Sequence, residues 1–136
     1  MKVLRSVFQF EHLLTNTWEF ATTDQILIVT SRNCGWCVRF TSIWDEIDAA
    51  LCDTSDVYKT DVIELGGLPV FLDGFRYFFG IDLGPSIGYP SIYVFNATKF
   101  TEVPPEIFWD HEAKKFKTEN LINYLKGGTQ DEIVCE

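Results

Sequence analysis

Between residues 25 and 63 the chain changes its hydrophobic period twice. "QILIVTS" (25–31) is a short, continuous, β-branched apolar run, the composition of a central strand covered on both faces. "VRFTSIWDEIDAALCD" (38–53) then sets Phe40, Ile43, Trp44, Ile47 and Leu51 at the spacing of an amphipathic helix. "DVYKTDVI" (56–63) alternates Val57, Lys59 and Asp61 against Tyr58, Thr60 and Val62, which reads as a second strand of the same sheet. Strand, helix, strand in this order predicts a parallel, right-handed βαβ unit. At its first strand-to-helix junction stands "NCGWC", residues 33–37.

The rest of the chain adds elements around that unit. "KVLRSVFQF" (2–10) mixes strand and helix periods and reads as an opening strand that runs into a helix over 11–23. Residues 64–88 are rich in glycine and aromatics, and a short helix is expected near 70–79. "PSIYVFN" (90–96) reads as a strand, "ATKF" as a turn, and "EIFWD" (106–110) as its antiparallel partner. "KTENLINYLKGG" (117–128) reads as a closing helix with Thr118 as N-cap, Leu121, Ile122 and Leu125 on one face and glycines at its end. The expected organisation is one domain over 1–128 and an acidic tail over 129–136.

Charge and length narrow the partners. Twenty acidic against eleven basic residues give a net charge of −9, which opposes nucleic acid and anionic membrane surfaces. Gln9, Glu11 and His12 interrupt the N-terminal apolar residues, so no signal peptide is read, and no run approaches the roughly 20 apolar residues of a membrane span. Four cysteines in 136 residues are too few for a disulfide-built scaffold, which favours a reducing, cytoplasmic setting.

Cys34 and Cys37 can be a redox pair, half of a metal site, or two idle thiols. Zinc has little support, because Cys52, Cys135, His12 and His111 offer no second metal-ligand spacing; no metal is expected. A helix N-terminus favours a thiolate at Cys34 and makes it the nucleophile, while Cys37, one turn on, can resolve a mixed disulfide. Gly35 permits close approach, and Trp36 offers an apolar platform or fills a groove. Cys52 reads as a small core residue and Cys135 as a free thiol in the tail.

The order βαβ…ββα, with "CGWC" at the first strand-to-helix turn and "GYPSIYVF" opening a later strand, resembles the thioredoxin superfamily across most of the chain. The resemblance implies an α/β thioredoxin-like fold with a central mixed sheet of four to five strands flanked by helices. It also implies that Pro90 is a cis proline beside the cysteine pair, that the backbone of Tyr89 pairs with an extended substrate segment, and that the dithiol is the only redox group. Two departures stand out. Thioredoxins usually carry tryptophan directly before the first cysteine and a buried aspartate six residues before it, where this chain has Asn33 and Ile28. With that proton acceptor missing, Lys59, Asp61 or water is left to serve Cys37.

"TSRNCGWC" is in this respect similar to the glutaredoxin entrance, yet "NATKFTEVPPE" stands where that family has its Gly-Gly-Asp turn. The leading expectation is dithiol–disulfide exchange with protein disulfides, with a reductase or glutathione as electron donor. A glutaredoxin-like, glutathione-dependent enzyme and a non-catalytic thioredoxin-fold binding module are the alternatives. The aromatic group Phe71, Phe75, Tyr77, Phe78 and Phe79 is expected in the core or beside the substrate groove, and specificity is expected in 64–88 and 97–117.

Overall fold

A computed structural model describes residues 2–20, 23–39, 41–51, 55–84 and 87–127. Cys52, Cys135 and the tail 129–136 lie outside the described residues. The order of elements is β1 (Lys2–Leu4), α1 (Val7–Phe20), β2 (Asp24–Thr30), α2 (Gly35–Arg39), α3 (Thr41–Leu51) and β3 (Ser55–Asp61). These are followed by α4 (Leu68–Phe79), β4 (Ser91–Phe95), β5 (Phe100–Glu102), α5 (Pro105–Phe108), β6 (Trp109–Asp110), β7 (Lys115–Phe116) and α6 (Thr118–Leu125).

Five strands form one mixed sheet in the order β1-β3-β2-β4-β5, with β6 and β7 as a separate ribbon. β1 and β2 run parallel to β3, whereas β4 runs antiparallel to both β2 and β5. This is the α/β mixed sheet expected from the sequence, with β2 between a parallel and an antiparallel neighbour. All but the first residue of β2 are buried, as its unbroken apolar run requires.

Alternation along the strands divides the core into two layers. Leu27, Val29, Tyr93 and Phe95 face α1 and α4, where Phe10, Leu14, Phe71 and Phe75 pack. Ile26, Ile28, Ile92 and Val94 face α3, α5 and α6, where Trp44, Ile47, Phe108 and Leu121 pack. Phe75 is the hub of the first layer. Its ring centroid lies 5.0–5.7 Å from Phe10, Phe71, Tyr93, Phe95 and Phe100. Phe71 and Phe75 are therefore core, and Tyr77 points to solvent at 84% exposure. The close approach of α1 and α4 depends on Gly74, where an added Cβ meets Phe10 at 2.7 Å and Leu14 at 3.2 Å. Gly74→Ala gains helix propensity but forces a fully buried ring to move. We expect a net loss of about 1–2 kcal/mol, read as a lower midpoint in urea.

Several sequence expectations are corrected. Within the helix expected at 38–53 the described residues are helical, as α2 up to Arg39 and as α3 over Thr41–Leu51, and α2 starts earlier, at Gly35; Phe40, Cys52 and Asp53 lie outside the described residues. The helix expected at 70–79 begins at Leu68, because Pro69 suits the first turn, and it stops at Gly80, whose φ of 67° closes a left-handed cap. α1 begins at Val7 rather than residue 11. The antiparallel partner of β4 is Phe100–Glu102 rather than 106–110. The Asn96 side chain accepts the backbone N–H of Thr98 and Lys99 at 2.8 and 3.0 Å, which reverses the chain at once and brings residue 100 into register. Pro105 then starts a single helical turn that takes in Glu106–Phe108, and only Trp109–Asp110 of "EIFWD" is strand, paired with β7 in the separate ribbon and not with β4. Thr118 is the first residue of α6 and not its cap; Lys117 holds the N-cap position, without a capping side-chain bond.

Candidate active site

β2 delivers the chain to a turn closed by Ser31. Cys34 N–H donates to the Ser31 carbonyl at 2.8 Å, and Asn33 N–H approaches Ser31 Oγ at 3.4 Å. α2 begins one residue later, which leaves the amide groups of its first turn without helical partners. One of them is used on sulfur: Cys37 N–H donates to Cys34 Sγ at 3.2 Å. Both cysteines are free thiols; Cys34 is half-buried and Cys37 is 3% exposed. The reachable sulfur therefore belongs to Cys34, and Cys37 lies beneath it.

Cys34 Sγ also lies 3.7 Å from the Tyr89 carbonyl, to which its thiol donates. The Tyr89–Pro90 peptide bond is cis. Ser91 Oγ donates to the Gly88 carbonyl, and Ser91 pairs with Val29, so the loop before β4 is tied both to itself and to β2. Cys34, Tyr89 and Pro90, far apart in the chain, are thus brought together at one end of the sheet.

Burial pushes the Cys37 thiol up to about 12, reinforced by its hydrogen bond with Cys34 and partly opposed by the Ser31 backbone. Among the described residues no carboxylate or ammonium contributes to that shift. Ile28 is buried in β2, level with Lys59 of β3 and Ile92 of β4. Lys59 is not ion-paired with any described residue. Asp61 accepts the Ile63 N–H at 2.8 Å and faces Arg32 Nε at 3.8 Å, so the Lys59–Asp61 charge pair does not form. Asp61 does reach the loop. Burial first, then the charges of Asp61 and Cys37, raise the Tyr89 phenol above its ordinary value.

A groove of about 410 Å³ opens beside Trp36, Tyr89 and Pro90. Its far side comes from the 103–117 segment, through Pro105, Phe108, Trp109 and Phe116, with His111 and Lys114 at the rim. Trp36 is 38% exposed, and its ring lies 5.0 Å from that of Trp109, edge to face. None of Phe71, Phe75, Tyr77, Phe78 and Phe79 lines this groove, which corrects the second of the two places considered for them. The sequence points to 97–117 for specificity without singling out Phe108, Trp109, Phe116 or Lys114. Their local signal is the density of aromatics in "EIFWDHEAKKF", a pattern that a strand accommodates equally.

His12 is on α1, 2.9 Å from Asn16 Nδ2. Among the described residues no three His, Cys, Asp or Glu side chains gather as a metal site, and no helix is long and apolar enough to cross a membrane.

No protein-family model and no curated protein matches the chain. Solved structures do. Thioredoxin O2 of Arabidopsis thaliana, in its oxidized state, superposes with a TM-score of 0.62 at 17% identity, covering 93% of this chain and 91% of that one. Plasmodium falciparum thioredoxin gives 0.59 at 12% identity, over 95% and 100%. The germline-specific thioredoxin Deadhead of Drosophila melanogaster gives 0.60 at 13% identity, over 95% and 100%. The chain has the thioredoxin fold, with a C-x-x-C pair at the start of α2.

Proposed function

We propose that this chain is a thiol–disulfide oxidoreductase acting on protein disulfides through Cys34 and Cys37. The observation that carries the reading is the Cys37 N–H aimed at the half-buried Cys34 sulfur at 3.2 Å, with the second thiol buried directly below. An amide donor on sulfur stabilises the thiolate that attack requires. Once ionised, Cys34 no longer donates to the Tyr89 carbonyl, and that oxygen is free to accept an N–H of an extended substrate segment laid across Tyr89 and Pro90. Trp36 forms an apolar shoulder for the same segment.

The Cys34 thiolate attacks one substrate sulfur; a Cys34–substrate disulfide forms and the second substrate sulfur leaves as a thiolate. Cys37 then loses its proton to a base in solution and attacks Cys34 Sγ. The Cys34–Cys37 disulfide forms and the first substrate sulfur leaves, so the substrate gains two electrons and the protein dithiol loses them. An external dithiol, or two monothiols such as glutathione, returns them. Lys59 and Asp61 of β3 stand level with Ile28 and Thr30 of β2, and neither is among the causes of the Cys37 shift.

The test is the equilibrium of the Cys34–Cys37 pair across a series of glutathione redox buffers, followed by thiol alkylation and intact mass. We expect one reversible two-electron transition. A potential near about −270 mV marks a reductant, and one toward about −120 mV an oxidant or isomerase. Thiols that never pair anywhere in that range would remove the redox reading and leave a binding module.

A further inference from the structure

The segment between β5 and α6 supplies neither cysteine, yet it packs against the cysteine motif through Trp109. Asp110 accepts the N–H groups of Glu112 and Ala113 at 3.1 and 3.0 Å, fixing the turn between β6 and β7. Lys117 N–H closes the base of the ribbon on the Phe108 carbonyl at 2.8 Å. Phe116 anchors it inward, 5.7 Å from the buried Trp44 ring, and Trp109 stands between Phe116 at 5.2 Å and Trp36 at 5.0 Å. The ribbon is thereby a wall opposite Pro90.

The wall joins apolar rings to an exposed lysine. Phe108, Trp109 and Phe116 line the groove, and Lys114 and His111 rim it. Residues 109–117 hold three lysines against two acids in a chain of net charge −9, and one of those acids, Asp110, is engaged by the turn. At about 410 Å³ the groove is large enough to take a whole side chain out of water.

We infer that this groove binds the residues flanking the substrate cysteine, and that it selects protein segments carrying a large apolar or aromatic side chain next to an acidic one. The inference rests on the redox reading above and names its substrate class. An aromatic side chain buries its ring against Trp109 and Phe108, while a neighbouring carboxylate meets the Lys114 ammonium at the rim.

The test uses the full chain carrying Cys37→Ser, which stops at the mixed disulfide. Its substrates are short peptides whose cysteine is capped as a disulfide with 2-mercaptoethanol. They differ in one flanking pair: Phe-Asp, Phe-Lys or Ala-Asp. Bis(2-hydroxyethyl) disulfide is the featureless reference. Second-order rates, read by acid quench and intact mass, are each divided by the rate with dithiothreitol to remove intrinsic reactivity.

Phe-Asp should react about tenfold faster than Phe-Lys at low ionic strength, with the gap closing near 1 M salt. Lys114→Glu should reverse that order. Trp109→Ala should erase an advantage of about tenfold for Phe-Asp over Ala-Asp, with Trp109→Phe restoring most of it. Lys99→Glu, at the opposite end of the sheet beside Asp24, should leave every ratio as it is. Equal normalised rates for all three peptides, with the reference reacting, would overturn the substrate class and leave the redox reading intact. Failure of the reference itself to react would overturn both.

Discussion

Replacing Cys34 by serine lowers disulfide exchange by about three orders of magnitude or more, because a hydroxyl is neither ionised at neutral pH nor comparably nucleophilic toward sulfur. The fold should be unaffected, since the Cys34 backbone keeps its bond to Ser31 and the side chain is only half-buried. Cys37→Ser behaves differently. The first attack proceeds and the chain accumulates as a stable adduct heavier by one substrate thiol, visible by intact mass. Reduction of an insulin-type protein disulfide, followed for parent and both variants, separates the two roles. Full exchange activity in Cys34→Ser, or an adduct on Cys37 in place of Cys34, contradicts the assignment of nucleophile and resolver.

The second large effect is in pH. Burial is the leading cause that pushes Cys37 up to about 12, and it persists in the mixed disulfide, where Cys34 is no longer a thiol partner. With no carboxylate acting on Cys37, its thiolate fraction at neutral pH is very small. Resolution should therefore quicken about tenfold per pH unit, close to a thousandfold between pH 7 and 10. Stopped-flow formation of the mixed disulfide with acid-quenched decay measures this directly; a rate that levels off below pH 8 would mean that a base serves Cys37 after all.

The same shift acts on stability, and its sign follows from which state ionises first. The unfolded thiol loses its proton near 9.0 and the folded one only near 12. The contribution of Cys37 is therefore intact below about pH 9 and falls away as pH rises toward 12. Urea midpoints across that window should fall less in Cys37→Ala than in the parent.

Much of the fold was legible from local pattern. β2 is covered on both faces and needed an unbroken apolar run, and β4 is buried along its whole length for the same reason. The helix at 41–51 was legible because Trp44, Ile47 and Leu51 must share one face. "EIFWD" was not, since five residues with three apolar positions satisfy a strand and a helical turn equally. What decided between them was the Asn96 turn, which gave the place beside β4 to Phe100–Glu102, and Pro105, which suits a first helical turn.

The same division holds at the site. The residue types of "NCGWC", the apolar run that leads into them and the helix that follows are enough to set a nucleophilic thiol at a strand end with a second thiol one turn away. Chain neighbours and helical spacing carry that information, and both are written in order along the sequence. Which side chains stand opposite is another matter. Trp36 meets Trp109, Cys34 meets the Tyr89 carbonyl, and Phe116 meets Trp44, all across long separations. That no described carboxylate bears on Cys37 likewise depends on packing, which turns Asp61 toward Arg32. Those contacts depend on how three layers pack and on where a fifteen-residue segment folds back, and no local period encodes them.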